Sequence, residues 1–322
     1  MKKLLILFTV LTFMVIGCGN SSESGNKANE KTGNSKKFKI GITQIASHPA
    51  LDNARKGFED AFKEAGVDAD FDEKNANGET ANANLIANNF ASSKVDLIYA
   101  IATSTAQTAV QSTSSIPIVF AAITDPKSAG ILKPNVTGVS DRMDVAEQMK
   151  LLKRLDGKIK SVGVIYNSSE PNSKVQVEDL KKAAAPLGLT IVEKSVTQAN
   201  EIPQTVDNLT READAIYLPT DNLVASVANL ITEKATNAKK IVFGAEAAHV
   251  EKGALITQGV SYYEIGKEAG KMAIDILKNG KKPSEIQFKQ MPLSEIVINE
   301  KTLAALNINL PQDIKSKAKM VK

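Results

Sequence analysis

The most constraining feature of this 322-residue sequence is a short apolar run that turns abruptly into a polar loop, between Lys160 and Ser173. A helical pattern follows over 174–187. This order predicts a buried parallel strand, a loop at its carboxyl end and the start of a crossover helix. The same layout occurs over 38–52, with a helix predicted to follow through Ala65. We therefore predict two similar α/β lobes whose first loops face each other across a cleft and hold a small ligand.

The rest of the folded chain repeats this alternation of strands and helices. Further strands are predicted at 95–101, 116–122, 135–141, 189–194, 213–218, 241–244, 255–259 and 294–299, and helices at 81–92, 106–113, 145–155, 202–210, 223–236, 262–277 and 300–306. Alternating β and α units predict parallel sheets covered by helices on both faces, which is an α/β fold with two Rossmann-like lobes. Right-handed crossovers then bring the polar loops to one edge of each sheet.

The first residues are typical of an export signal. A start with two lysines, Met1 to Lys3, precedes an apolar run over 4–16, which is short for a membrane span but fits a signal-peptide core. The segment Val15 to Cys18 resembles the lipobox of bacterial lipoproteins, which predicts a signal peptide at 1–17 and lipidation of Cys18. A simple signal peptide with a chance cysteine is the alternative. Cys18 is the only cysteine, so the sequence offers neither a disulfide nor a cysteine cluster for a metal.

Residues 18–37 predict a tether between the lipid anchor and the folded lobes. They are mostly Ser, Gly, Asn, Lys and Glu, a composition that buries too little apolar surface to order the chain. One acyl chain anchors weakly, and the diacylglycerol of bacterial lipoproteins supplies two. We therefore expect an extracytoplasmic domain held at the membrane by its lipid.

The charge of the chain gives little support to nucleic acid binding. The net charge is +4 and the pI is about 8.8, with lysines scattered over predicted helices. No basic stripe is interleaved with aromatic residues, as a nucleic-acid-binding surface would require. We interpret the lysines as a solvated surface.

Polar loops at strand ends supply the candidate binding groups. Hydroxyls beside free backbone N–H groups at a helix start favour an anion such as a carboxylate. Each hydroxyl is equally well explained as a helix cap. The candidate hydroxyls are those of Thr103, Ser104, Thr105, Ser168, Ser169 and Ser173. Asp221, at another strand end, is the candidate partner for an ammonium, with helix capping as its alternative. Glu170 and Asp125 are weaker candidates of the same kind. Together these groups describe a zwitterion site, and an α-amino acid is the simplest ligand.

Enzymatic signatures are weak. The two histidines are His48, in the first loop, and His249, which has no nearby Asp or Cys in sequence. The chain lacks the Gly-x-Ser-x-Gly elbow, a Gly-rich phosphate loop of the usual spacing and a paired-histidine metal motif. A Ser–His–Asp site assembled from distant loops has no local support. We therefore predict a protein that is not an enzyme and uses neither a metal nor a cofactor.

Five segments together resemble a family of ABC-transporter substrate-binding proteins that includes tryptophan- and other aromatic-amino-acid-binding lipoproteins. The segments are 44–52, 120–126, 135–141, 166–173 and 220–222, and the likeness extends from about Phe38 to Leu310. The resemblance implies the periplasmic-binding-protein type I fold, with three crossings between two lobes and a cleft that closes on ligand. It places lobe one at 38–155 plus 262–286 and lobe two at 156–261 plus 287–322.

The resemblance also implies a set of ligand-binding residues and partners. The residues are Ser47, His48, Pro49, Ala102, Thr103, Ser104, Asp125, Tyr166, Ser169, Glu170, Asn172, Ser173, Asp221 and Asn222, with Phe120, Tyr166, Tyr217 and Tyr262 as candidates for an apolar wall or for the core. We expect a monomer that delivers an aromatic amino acid to a permease and its ATPase. The alternative ligands are a branched or other small amino acid, a sugar or a purine nucleoside. A sensory lobe pair, or a surface lipoprotein with an adhesive or enzymatic role, is the alternative function.

Overall fold

The computed structural model describes residues 37–322, in which the chain forms two β-sheets flanked by helices. The predicted signal peptide, Cys18 and all of the predicted tether except Lys37 lie outside these described residues. Within 37–322, no helix is both long enough and apolar enough to cross a membrane.

The first sheet contains six strands, all paired in parallel. They are β1 (Phe38–Gln44), β2 (Ala69–Asn75), β3 (Leu97–Ile101), β4 (Ile118–Ile123), β5 (Val136–Ser140) and β11 (Lys289–Gln290). Their order across the sheet is β11-β5-β4-β3-β1-β2. The associated helices are α1 (Pro49–Glu64), α2 (Thr80–Ser93), α3 (Thr103–Ser112) and α10 (Tyr262–Asn279).

The second sheet contains seven strands, parallel except for one antiparallel pair. The strands are β6 (Ser161–Asn167), β7 (Thr190–Val196), β8 (Ala215–Leu218), β9 (Ile241–Gly244), β10 (Ile256–Thr257), β12 (Ile296–Asn299) and β13 (Ala318–Val321). Their order is β13-β12-β10-β9-β8-β6-β7, and the antiparallel pair is β10 with β12. The remaining helices are α4 (Val145–Leu155), α5 (Pro171–Ala184), α6 (Ile202–Glu212), α7 (Asn222–Ser226), α8 (Ala228–Asn237), α9 (Ala247–Glu251), α11 (Glu300–Leu306) and α12 (Gln312–Lys315).

The central strands show why the apolar runs of the sequence form parallel sheets. Every residue of β3, β4 and β5 is buried. A strand that is covered by helices on both faces is apolar along its whole length rather than at alternate positions. The edge strand β2 is mostly exposed and carries charged side chains, which protects an open sheet edge from pairing with other chains.

Helices α1 and α10 meet through glycines, although they come from opposite ends of the chain. A Cβ atom on Gly266 would lie 1.8 Å from the carbonyl oxygen of Ala54, and one on Gly57 would lie 2.1 Å from that of Tyr263. The two backbones are therefore too close for any side chain at these two positions. The contact fixes α10 on the first sheet beside α1.

The chain passes between the sheets three times: after β5, after β10 and after β11. Helix α4 packs against α5 of the second sheet, whereas β11 pairs with β5 of the first. We therefore propose lobe boundaries near residues 141–144, 258–261 and 291–295. The first and last differ from the boundaries at 155 and 286 expected from the sequence, because α4 and β11 each associate with the other lobe.

Candidate ligand-binding site

A small cavity of about 10 Å³ lies between the loops that follow the strands of the two sheets. Three of its acidic side chains come one to three residues after a buried strand: Asp141 after β5, Asp221 after β8 and Glu246 after β9. Parallel strands present their carboxyl ends at one sheet edge, which is why these side chains meet. The full lining is His48, Leu51, Ala122, Asp141, Asn172, Thr220, Asp221, Asn222, Ala225, Glu246 and Tyr262.

The buried carboxyl of Asp221 is fully occupied by hydrogen bonds within its own lobe. Its Oδ1 accepts from the backbone N–H of Val224 at 2.9 Å, which caps α7. Its Oδ2 accepts from the N–H of Asn167 and from the hydroxyl of Ser173, both at 2.6 Å. Burial, with Glu170 nearby, raises the pKa of Asp221 to about 7. The structure thus shows the capping role that the sequence left as the alternative to ammonium binding.

Glu170 also has an internal role. Its carboxylate accepts from the backbone N–H groups of Asn222 and Leu223, at 3.0 and 3.1 Å, and from the side-chain amide of Asn222 at 2.6 Å. The amide of Asn172 donates to it at 3.1 Å. The acid thereby holds the first turn of α7, whose N–H groups have no partner within the helix.

A second group of buried acids has far fewer partners. Tyr262 donates its hydroxyl proton to Asp141 Oδ2 at 2.7 Å, and Thr124 donates to Oδ1 at 3.1 Å. Glu246 lies close enough to interact with the same tyrosine, but its Oε2 has no partner among the described residues. Its Oε1 is 3.5 Å from Nε2 of His249, which is itself buried and neutral, because burial lowers the pKa of His249 to about 3.

Burial disfavours the ionised form of both acids of this group. Burial raises the pKa of Asp141, and burial together with Asp141 raises that of Glu246 to about 8. Neither lysine nor arginine is among the residues that line the cavity. We call Asp141, Glu246 and Tyr262 the acid end of the cavity. Sequence reasoning assigned neither acid to the site: Asp141 ends the segment 135–141 that carries the family resemblance, and Glu246 lies in none of the five segments.

His48 lines the cavity and connects the two lobes. Its Nε2 lies 3.2 Å from Oδ1 of Asn222, and the ring is buried, which lowers its pKa. The neighbouring predicted residues do not line the cavity: the exposed Ser47 donates to Asp52 at 3.1 Å, and Pro49 begins α1. Nδ1 of His48 has no partner among the described residues.

Outside the contact between His48 and Asn222 is an open mouth of about 600 Å³. Polar side chains of both lobes line it, including four predicted site residues: Ser104, Ser169, Glu170 and Asn222. The predicted residues are therefore divided between two compartments, with His48, Asn172, Asp221 and Asn222 lining the inner cavity.

Two strands of the first sheet, β3 and β4, have a strained alanine next to their last residue. Ala122, which lines the cavity, has φ +57°, and Ala102 has φ +85°. Positive φ is rare for residues with a side chain and is concentrated at ligand sites. The strained turn at Ala102 leads into α3, where the buried hydroxyl of Thr103 has no partner among the described residues.

The other predicted residues lie away from both spaces. Asp125 pairs with Arg142 at 3.0 Å, and Tyr166 donates to Glu193 at 2.6 Å, a bond that raises the pKa of Tyr166 to about 12. Tyr217 is in the core, where its hydroxyl donates to Gln148. Phe120 is buried as well, so of the four aromatic residues considered for the cavity wall only Tyr262 lines it.

A comparison with known protein families matches residues 39–322 to the family of ABC transporter substrate binding proteins. This chain belongs to that family. The family predicted from the sequence is therefore confirmed. Its members bind solutes outside the cytoplasm for ABC transporters. More distant solute-binding proteins, between 11% and 17% identical, share the fold, and the predicted periplasmic-binding-protein type I class is confirmed with it.

Among the relatives is the tyrosine-binding protein of Clostridioides difficile strain R20291, which is 39% identical over 306 residues, or 92% of this chain and 88% of that protein. A solved structure of an ABC domain from Streptococcus pneumonia in complex with L-Trp is 34% identical, covers 89% of this chain and 100% of that one, and has a TM-score of 0.85.

A third relative indicates the state of the cleft. The ligand-free, open structure of a substrate-binding protein with adhesive properties from Clostridium difficile is 42% identical and covers 88% of this chain and 99% of that one. Its TM-score is only 0.68, although its identity is higher than that of the L-Trp complex. The two lobes of this chain are therefore arranged as in the ligand-bound relative, with the cleft closed.

Proposed function

We propose that this protein captures an aromatic α-amino acid in the cavity between its lobes and delivers it to an ABC permease. The proposed setting is the outer face of the membrane, where lipidated Cys18 anchors a monomer that performs no catalysis. Support for the ligand class comes from the relatives named for tyrosine and solved with L-Trp. Ligand that contacts both lobes favours the closed state by its differential affinity.

The observation that carries this proposal is the acid end of the cavity. Asp141 and Glu246 are buried beside one tyrosine hydroxyl, and that hydroxyl can donate only one proton. A buried carboxylate needs a charged partner or must stay protonated. The α-ammonium of an amino acid is such a partner. Because Asp221 already accepts three hydrogen bonds, we assign the ammonium to Asp141 and Glu246 instead.

We assign the ligand carboxylate to the start of α3, one of the several helix starts that the sequence offers for it. The first backbone N–H groups of a helix have no partner within it and favour an anion. Thr103, the first residue of α3, adds a buried hydroxyl that is also without a partner among the described residues. This location, across the cleft mouth from the loops of the second lobe, fits a ligand that bridges both lobes.

Calorimetry with the purified protein tests the proposal. L-tyrosine, L-tryptophan and L-phenylalanine should bind, whereas leucine, glucose and adenosine should bind weakly or not at all. N-acetyl-L-tyrosine, which keeps the ring and the carboxylate but has no ammonium, should lose most of the affinity. Equal affinity for the acetylated and free amino acids would show that the protein does not recognise the ammonium. Binding of adenosine or glucose alone would show that the ligand is not an amino acid.

Adhesion is a second candidate, because a relative 42% identical to this chain is described as having adhesive properties. The two functions are compatible on one surface lipoprotein. An adhesion assay separates amino-acid binding from adhesion. Intact cells that express the protein are bound to host-cell layers with and without saturating tyrosine. Adhesion that does not depend on the amino acid would place it on the outer surface rather than in the cleft.

A further inference from the structure

The orientation of the Asn222 amide fixes which nitrogen of His48 carries the proton. The Nδ2 of Asn222 donates to Glu170 at 2.6 Å, and its Oδ1 faces Nε2 of His48 at 3.2 Å. A flipped amide would direct its oxygen at the carboxylate of Glu170, so the orientation is determined by charge. Because Oδ1 can only accept, Nε2 of His48 must be the donor.

The other ring nitrogen is then a bare acceptor. In a neutral imidazole with the proton on Nε2, Nδ1 carries a lone pair. The His48 ring is 7% exposed, lines the cavity, and has no partner for Nδ1 among the described residues. The imidazole stays neutral because burial outweighs the nearby charges of Asp52 and Glu170 and lowers its pKa. A buried acceptor without a partner favours a ligand that brings a donor.

Two separate hydrogen-bond networks line the cavity. Asp141 and Glu246 are joined through Tyr262 at the acid end. His48 is joined instead to Asn222 and Glu170, at the boundary with the open mouth. A ligand ammonium is drawn to the two carboxyls, because they offer charge and His48 does not. The donor that reaches His48 must therefore come from another part of the ligand.

We propose that Nδ1 of His48 accepts a hydrogen bond from a donor on the ligand's aromatic ring, a phenolic hydroxyl or an indole N–H, and so selects tyrosine or tryptophan over phenylalanine. This inference rests on the proposed function, since it presumes an aromatic amino acid in the cavity. A site that holds a buried polar group for the ligand rejects the analogue that cannot pair with it.

Affinities of the wild-type protein and the His48→Gln variant for the three aromatic amino acids test the inference. The glutamine amide can still donate to Asn222 but leaves the position of Nδ1 without an acceptor. In the wild type, phenylalanine should bind at least about tenfold more weakly than the better of tyrosine and tryptophan. The variant should lose about tenfold in affinity for that better ligand and change little for phenylalanine.

A Ser226→Ala variant, altered in the open mouth but not in the inner cavity, is the matched control and should keep the wild-type ratio. Equal losses for all three amino acids in His48→Gln would overturn the inference and leave His48 as a contact that only closes the cleft. An unchanged ratio would overturn it as well. If no aromatic amino acid binds even the wild type, it is the proposed function that fails.

A second measurement avoids reliance on the variant. Nitrogen NMR of the histidine side chains in the complex should show Nε2 protonated and Nδ1 unprotonated and hydrogen-bonded for the ring of His48. That Nδ1 signal should move between the tyrosine and phenylalanine complexes. A protonated Nδ1, or a signal identical in the two complexes, would contradict the assignment.

Discussion

Two groups of acids lie at the candidate site, and they differ in how many hydrogen bonds they receive. Asp221 and Glu170 are saturated by donors of their own lobe. At the acid end, Asp141 receives two hydroxyl donors and Glu246 keeps an oxygen without a partner. A saturated carboxylate holds its loops in place, whereas an unsaturated one is available to a ligand. The number of hydrogen-bond donors around a carboxylate, rather than its burial, therefore separates a structural role from a ligand-binding one.

Neutralising the acid end should have the largest effect on binding. Asp141→Asn and Glu246→Gln each remove one charge from the proposed ammonium partners, and breaking a buried charge pair costs about 3–5 kcal/mol, or at least about 100-fold in affinity. Calorimetry with tyrosine measures the loss. The melting temperature of the ligand-free variants should not fall, since each substitution replaces an acid whose ionised form burial disfavours.

Glu251→Gln is the matched control for these variants, because Glu251 is exposed at the end of the same helix that Glu246 precedes. It should bind as the wild type does. Near-normal affinity in both Asp141→Asn and Glu246→Gln would erase the distinction between the two groups of acids.

Removing Asp221 should act mainly on stability. Asp221→Ala deletes a helix cap and leaves the buried hydroxyl of Ser173 and the N–H of Asn167 without their acceptor. The free energy of unfolding of the ligand-free protein should fall by about 3 kcal/mol, which denaturant titration measures. If the variant is as stable as the wild type and yet binds no ligand, Asp221 belongs with the ligand-binding acids.

The pH dependence of the free energy of unfolding should show whether Glu246 faces the ligand ammonium. The pKa of Glu246 is about 8 in the folded protein, against an ordinary value of 4.5. Its contribution to stability is complete below about pH 4.5 and is lost as the pH rises through 8, because only the unfolded chain ionises readily in that window. The wild type should lose up to about 1.4 kcal/mol per pH unit relative to Glu246→Gln.

Saturating tyrosine should flatten this difference, since an ammonium beside Glu246 stabilises its ionised form. Denaturant titrations from pH 5 to pH 8, with and without tyrosine, provide the measurement. A pH dependence that ligand leaves unaltered would mean that Glu246 does not face the ammonium.

The smallest effect is expected from the ion pairs outside the cavity. Arg142 contacts Asp125 at 3.0 Å and Asp179 at 2.7 Å, and its side chain is 36% exposed. Arg142→Ala should change the free energy of unfolding by less than about 1 kcal/mol and the affinity for tyrosine by less than about threefold. A larger loss of affinity would show that this contact takes part in closing the lobes.

The sequence predicted the buried parts of the fold better than its margins. Strands such as β6 were recognisable because an apolar, β-branched run ends in a polar loop. The edge strand β2 carries mostly charged residues and gave no such signal. The helix expected over 223–236 is interrupted at Val227, whose backbone leaves helical geometry between α7 and α8.

The meeting of the strand-end loops was predicted from the sequence, whereas only some of the predicted side chains line the cavity between them. The loops after the strands were correctly expected to converge, and His48, Asn172, Asp221 and Asn222 do line the cavity. Asp141 and Glu246 were not identified, because the feature that distinguishes them is a lack of donors. That property depends on which side chains the other lobe brings near, and local sequence does not contain it.

The glycine contact between α1 and α10 has a consequence for biosynthesis. Gly57 and Gly266 are separated by most of the chain, so a ribosome must release nearly the whole polypeptide before this pair of helices can form. Until then, the early strands lack a covering layer and expose apolar surface to other molecules. A truncation before Tyr262 would therefore leave the amino-terminal half prone to aggregation, while the strands from β6 to β9, continuous in sequence, would already have their neighbours.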